Sequence, residues 1–153
     1  MNSSRSRHVL DTSSLLNLVR HLGSDSITYL KGNYILTLTI YEVGNAVWKE
    51  ASLIKRISMD EARELLSSLE HVYTFMEVTQ PRNLHTVLDT AHLLGITFYD
   101  ASYIIAAHEL DASLVTDDKR LIKRIEAGRD VVRMLLGGDI EILTSSDIWG
   151  RPE

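Results

Sequence analysis

The chain contains no cysteine. That excludes disulfides, zinc sites built on thiolates and a thiol nucleophile. It has only two prolines, Pro81 and Pro152, and eight glycines, and no linker, repeat or low-complexity stretch divides it. No apolar run reaches the ~18 residues that a membrane helix needs. No apolar core follows the polar, basic start from Met1 to His8, so no signal peptide is read there. Basic residues are in the minority: 16 Lys and Arg against 21 Asp and Glu give a formal charge of −5. A protein held to nucleic acid mainly by a broad basic surface is therefore disfavoured. A small basic patch, or a cluster of acids that recruits metal ions, remains open. What is present is ordinary for a globular chain: 153 residues, 44% hydrophobic and 24% charged, enough for one domain with one sizeable core. The expectation is an intracellular, cytoplasmic single domain over residues 8–150, preceded by a loose tail over residues 1–7.

Short apolar segments alternate with helical ones along the chain. His8-Val9-Leu10 reads as a strand, cut off by Asp11-Thr12-Ser13-Ser14. Leu15, Leu16, Leu18, Val19 and Leu22 then recur at helical spacing up to Gly23. Residues 34–38 read as a second strand and 39–56 as a helix. Ser58-Met59-Asp60-Glu61 is a capping box that opens a third helix, to about His71. Residues 73–78 are a strand candidate, 82–94 a helix closed by Gly95, and 98–110 another helix. Residues 113–116 read as a short buried strand, 117–127 as a basic helix, and 140–143 as a last strand. The alternation predicts an α/β domain, a parallel sheet with helices on both faces. In such sheets ligands bind outside the carboxyl ends of the strands.

Acidic residues fall at those ends. Asp11 directly follows the first strand. Glu42 comes just past the second, in the first turn of its helix. Asp117 and Asp118 follow the strand over residues 113–116. Asp100 stands in the first turn of its helix, after Gly95-Ile96-Thr97-Phe98-Tyr99. Each acid alone is readily explained as a helix cap, since acids are favoured in first turns, and Thr39-x-x-Glu42 and Thr97-x-x-Asp100 fit cap-like patterns. Together they are harder to explain that way. Like charges gathered at one sheet edge repel unless a cation or proton neutralises them. Carboxylate oxygens without a histidine or cysteine among them suit Mg²⁺ or Mn²⁺.

Four stretches carry a resemblance: Val9-Leu10-Asp11-Thr12-Ser13, Tyr41-Glu42-Val43-Gly44-Asn45, Phe98-Tyr99-Asp100-Ala101-Ser102-Tyr103 and Leu114-Val115-Thr116-Asp117-Asp118. In this order, with apolar strands before the first and last, the chain resembles a PIN domain, and more narrowly the VapC toxins of type II toxin–antitoxin systems. The resemblance covers nearly the whole chain. It implies a single PIN-like domain, with a short central parallel sheet flanked by helices on both faces. It implies a metal-dependent endoribonuclease that holds Mg²⁺ or Mn²⁺ with Asp11, Glu42, Asp100 and Asp118, with Asp117 as the alternative fourth ligand. Ser13 and Thr116 match small hydroxyl residues that line the family's site and are expected to touch substrate. It further implies a VapB-like antitoxin as partner and a homodimer. One segment departs from the family: residues 128–138, with Val131, Val132, Met134, Leu135 and Leu136, stand where the family often has a short turn.

Other features are weighed beside that resemblance. Lys119, Arg120, Lys123 and Arg124 form a basic run beside the acids. A solvated helix face and steering of RNA phosphates explain it equally well. Lys49, Lys55 and Arg56 are weaker candidates. The histidines are scattered, and no spacing supplies a third metal ligand beside His85 and His92. Tyr41, Val43, Val47, Trp48, Leu53, Ile54, Ile57, Leu65, Leu66 and Leu69 make an apolar stripe that is generous for a core, so part of it is expected to face a partner helix. Rival functions are an RNA-processing PIN nuclease outside any toxin system and a non-catalytic RNA-binding or assembly module of the same fold. A phosphoacceptor receiver domain wants two acids after its first strand, and a haloacid-dehalogenase-like phosphatase wants Asp-x-Asp. Asp11-Thr12-Ser13 is neither.

Overall fold

The computed structural model describes residues 7–150; most of the expected tail, residues 1–6, lies outside that range. At its end Arg7 is tied down, donating from Nε and Nη2 to the Gly32 carbonyl at 3.0 and 2.8 Å, pairing with Glu77 and lying over the Tyr34 ring.

Five short strands form one parallel sheet in the order β3-β2-β1-β4-β5. They are β1 His8–Leu10, β2 Tyr34–Leu36, β3 Glu77–Thr79, β4 Ser113–Val115 and β5 Ile142–Leu143. The central pair is in register through Val9 with Leu114 and Leu10 with Val115. The helices are α1 Thr12–Leu22, α2 Ser26–Leu30, α3 Thr37–Trp48, α4 Met59–Tyr73, α5 Leu84–Leu94, α6 Phe98–Glu109, α7 Lys119–Ala127, α8 Arg129–Leu136 and α9 Ser145–Trp149. A π-helical turn, Lys49–Leu53, extends α3. No helix of the described residues is long and apolar enough to cross a membrane.

Side chains alternate across a strand, and that alternation divides the core in two. Val9, Tyr34, Leu36 and Leu114 face α5, α6, α7 and α8. Leu10, Ile35 and Val115 face α1, α3 and α4. Both faces are covered, as an all-parallel sheet requires. After β1 the chain turns to one face and after β4 to the other, so the β1–β4 boundary is the point where the connections diverge and a crevice opens.

The structure shortens or shifts several expected elements. β2 stops at Leu36 and α3 starts at Thr37, earlier than expected, because the Leu36 N–H is bound by the Thr39 hydroxyl at 3.0 Å. Thr39 is thus the third helical residue, and Glu42 lies in the second turn rather than the first. α4 runs through Tyr73, which leaves β3 only Glu77–Thr79. The expected capping box at Ser58 and Glu61 is formed in both directions. The segment 128–138 is α8. It buries Val132 against the core, with Val131 and Leu136 packed beside it. Gly128 permits the sharp junction with α7: a Cβ there would lie 2.1 Å from Leu94 Cδ2. On α7, Leu121 and Ile125 are buried. Full burial of such side chains contributes about 1.5–3 kcal/mol each, against roughly 0–1 kcal/mol for an exposed ion pair. The apolar pair therefore sets the roll of the helix and leaves Lys119, Arg120, Lys123 and Arg124 exposed.

Candidate active site

Asp11 ends β1 and caps α1. Its Oδ1 accepts from the Ser14 N–H at 3.0 Å, the Ser14 hydroxyl at 3.0 Å and the Ser13 hydroxyl at 2.7 Å, and its Oδ2 accepts from the Thr116 hydroxyl. The Ser14 hydroxyl also reaches the Val115 carbonyl at 2.8 Å, which joins the start of α1 to the end of β4. Asp11 is only 6% exposed. Burial pushes its carboxyl above the ordinary range, and the bonds from Thr116, Ser14 and Ser13 oppose that without overcoming it.

Glu42 projects from α3 toward the same point. Its Oε1 accepts from the Thr12 hydroxyl at 3.1 Å and the Tyr103 hydroxyl at 2.7 Å. Tyr103 has one proton and gives it to Glu42, so the Thr39 hydroxyl, 2.7 Å away, must donate to Tyr103. Burial, with the Glu42 charge beside it, raises the Tyr103 phenol and keeps it a donor. Asp100 follows the α6 cap, where its N–H donates to the Thr97 hydroxyl at 3.0 Å. Burial raises its carboxyl first, and the charges of Asp118 and Glu42 raise it further, against the Thr97 hydroxyl. Asp118 caps α7, accepting from the Arg120 and Leu121 N–H groups at 2.9 and 3.2 Å.

These four acids come from four separate segments and line one cleft of about 300 Å³, with Thr12, Ser13 and Tyr103 beside them. The cleft opens at the carboxyl edge of the sheet, at the β1–β4 divergence. Asp117 is directed elsewhere: it accepts from Asn17 Nδ2 at 2.7 Å and from the Ser145 N–H at 2.8 Å, and so ties α1 to α9. Thr116, expected to touch substrate, is fully buried and reaches the site only by holding Asp11 and the Asp118 N–H. Ser13 lines the cleft, but its hydroxyl is engaged by Asp11 and the Asp117 N–H. Lys119 and Lys123 do not line the cleft, and Arg120 borders a neighbouring cavity. Thr12 and Tyr103 were not singled out from sequence. The available signal was spacing, since Tyr103 stands three residues past Asp100 on one helix face.

The donor set fits a hard divalent cation: it is all oxygen, anionic and drawn from several segments. Among the described residues no three acids or histidines are closed around one point as a metal cage.

No protein-family model matches the chain. Curated relatives do. The chain is 36% identical over 129 residues to exonuclease VapC9 of Pyrobaculum aerophilum, spanning 84% of this chain and 93% of that one. It is 31% identical over 98 residues to ribonuclease VapC3 of the same organism, spanning 61% and 72%. It is 36% identical over 80 residues to ribonuclease VapC1 of Mycobacterium tuberculosis, spanning 52% and 58%. The crystal structure of PAE2754 from Pyrobaculum aerophilum superposes with a TM-score of 0.67 at 31% identity, covering 87% of this chain and 98% of that one.

Proposed function

The chain belongs to the VapC family of PIN-domain proteins, and from that premise we propose that residues 8–150 form a metal-dependent endoribonuclease, the toxin of a toxin–antitoxin pair. The observation that carries the proposal is the convergence of Asp11, Glu42, Asp100 and Asp118 in one cleft. These four would hold Mg²⁺ or Mn²⁺, with Asp118 rather than Asp117 as the fourth. A bound divalent ion supplies polarisation of the phosphoryl oxygen and a more acidic water. The protein supplies the rest. Asp11, fixed by its serine and threonine donors, is the rigid ligand. Glu42, held by Thr12 and Tyr103, presents its remaining lone pairs to the cleft. A carboxylate of the cleft accepts the proton of the attacking water. Leu16 and Ala46 also line the cleft and narrow the space beside the acids.

The exposed Tyr41, Trp48, Leu53, Ile54 and Met59, on α3, the π turn and the start of α4, support an apolar contact with an antitoxin helix. A homodimer and a cytoplasmic location are carried over with the family reading.

The test is cleavage of a panel of single-stranded and structured RNAs in Mg²⁺, Mn²⁺ and EDTA. Wild-type protein is expected to cut in either metal and not in EDTA. Asp11→Asn and Asp100→Asn are expected to lose at least ~100-fold in rate, a scale set by the loss of a preorganised charged group, with circular dichroism unchanged. Retained cutting by both variants overturns the site. Internal fragments are expected as products; mononucleotides shed from one end would make the enzyme an exonuclease.

A further inference from the structure

Arg7, Arg20, Arg63, Arg129 and Arg133 each hold a carboxylate in an ion pair. Arg120 and Arg124 have no such partner among the described residues, although Asp100 and Asp118 border the same cavity. That cavity, about 220 Å³, lies between the turn Gly95-Ile96-Thr97 and α7. Arg120 and Arg124 are four residues apart and so share one helix face. The Arg124 guanidinium reaches across to the turn: a Cβ placed on Gly95 would lie 3.5 Å from its Nη1. Gly95 caps α5 at a φ of +63°, a left-handed conformation natural to glycine, and presents no side chain of its own to the guanidinium. Asp100 and Asp118 line this cavity on one side and the carboxylate cleft on the other. The two spaces are therefore neighbours across a shared pair of acids, one anionic and one flanked by free guanidinium groups.

We propose that the cavity between Gly95 and Arg120 and Arg124 receives the phosphate next along a single-stranded RNA from the one cut in the carboxylate cleft. This rests on the ribonuclease reading. A strand crossing Asp100 and Asp118 meets the acids with its scissile phosphate and two unpaired guanidinium groups with the following one. Guanidinium forks suit phosphate oxygens better than point charges do. The contact fixes the position of the strand and carries no base information. Lys119 and Lys123 border neither cavity and act only at longer range.

The experiment measures binding of a dinucleoside monophosphate and of a randomised-sequence RNA hexamer with Ca²⁺ as the divalent ion, on ice and before any cleavage product appears, by competition against a labelled hexamer. Wild-type protein is expected to prefer the hexamer. Arg120→Gln with Arg124→Gln should weaken the hexamer by roughly tenfold, the scale of hydrogen bonds to a charged group, and leave the dinucleoside monophosphate nearly unchanged. The slope of log affinity against log salt should fall by about 0.7, the value for one phosphate on a single strand. Arg63→Gln with Arg82→Gln removes the same charge away from the cavity and is expected to leave both ligands alone. Equal hexamer affinity in wild type and in the Arg120/Arg124 variant overturns the proposal, as does an equal loss in the Arg63/Arg82 variant or the absence of any preference for the hexamer. Failure of the nuclease reading looks different: the arginine-dependent preference persists while the RNA panel stays uncut in every metal.

Discussion

Asp11 is pulled in two directions, and its neighbours decide how far. Burial raises its carboxyl, while Thr116, Ser14 and Ser13 lower it by bonding the ionised form. Removing the Thr116 hydroxyl takes away one lowering contribution, so Thr116→Val raises Asp11 further. Activity that needs ionised Asp11 should then fail at higher pH on the acid side. The expected result is a loss that is largest at the acid end of the pH–rate profile and narrows as pH rises, with Thr116→Ser close to wild type because it keeps a hydroxyl. Parallel pH–rate profiles for wild type and Thr116→Val would show that Asp11 is not the group being tuned. The valine also leaves the part-buried Asp118 N–H without its acceptor, a cost of about 0.5–1.5 kcal/mol, the net worth of one hydrogen bond, visible in urea unfolding. At this scale Asp11, Asp100 and Asp118 were legible because each follows a strand or stands at the start of a helix, whereas Glu42, in the second turn of α3, was legible only through the stretch Tyr41-Glu42-Val43-Gly44-Asn45. Their supports were not. Tyr103 and Thr12 reach Glu42 from other segments, and the spacing that puts Tyr103 on the face of Asp100 does not announce its bond to Glu42 on α3.

At the scale of elements, each acid must be separated from the cap it resembles. For Glu42 the structure removes the capping reading, since Thr39 serves α3 as its third residue and Glu42 is bonded to Tyr103 and Thr12 instead. For Asp118 both readings hold at once: it caps α7 and also lines the cleft. Two substitutions separate them. Asparagine is as good a cap as aspartate, whereas alanine costs about 0.5–2 kcal/mol at that position. In EDTA, Asp118→Asn should therefore unfold at no lower urea than wild type, because it keeps the cap and relieves the repulsion on Asp100, and it should lose cleavage when metal is supplied. Asp118→Ala should lose both the cap and cleavage. If Asp118→Asn cuts RNA normally, Asp118 is only a cap. Strands and long helices were readable because alternation and helical spacing recur over enough residues. The five-residue helices α2 and α9 offer too few turns for a period to show. α8 was visible as apolar residues but not as a separate helix, and the close packing of Leu94 of α5 on Gly128 at its start is a contact far away in sequence that no local pattern shows.

For the whole molecule, the strand order follows from the divergence of the chain at β1 and β4, and that divergence gathers the acids. A parallel sheet was foreseeable from alternating elements. The order β3-β2-β1-β4-β5 was not, since it is fixed by contacts between distant segments such as Val9 with Leu114. Gathering Asp11, Glu42, Asp100 and Asp118 at one edge works against stability when no cation is present. Asp11 and Asp100 are both raised in the folded state, each first by burial, with the charges of Asp118 and Glu42 adding to it at Asp100. By linkage, a raised acid lowers stability as pH climbs from its ordinary value to its raised one, and the loss is complete above that. Metal-free protein should therefore gain stability as pH falls through this window, until other groups titrate. At pH 7 in EDTA, Asp100→Asn should be more stable than wild type by about 0.5–2 kcal/mol, the usual gain from relieving a functional site. Mg²⁺ or Mn²⁺ should reverse the order. An ion present at a hundred times its dissociation constant adds about 2.7 kcal/mol to the protein that binds it, or roughly 5–10 °C in Tm for a chain of this size. Asp100→Asn should respond far less. Thermal melts of the two proteins with and without each ion measure this without any RNA. A wild type that neither ion stabilises, together with an asparagine variant no more stable than it in EDTA, would mean that the four carboxylates do not repel one another enough to need a cation.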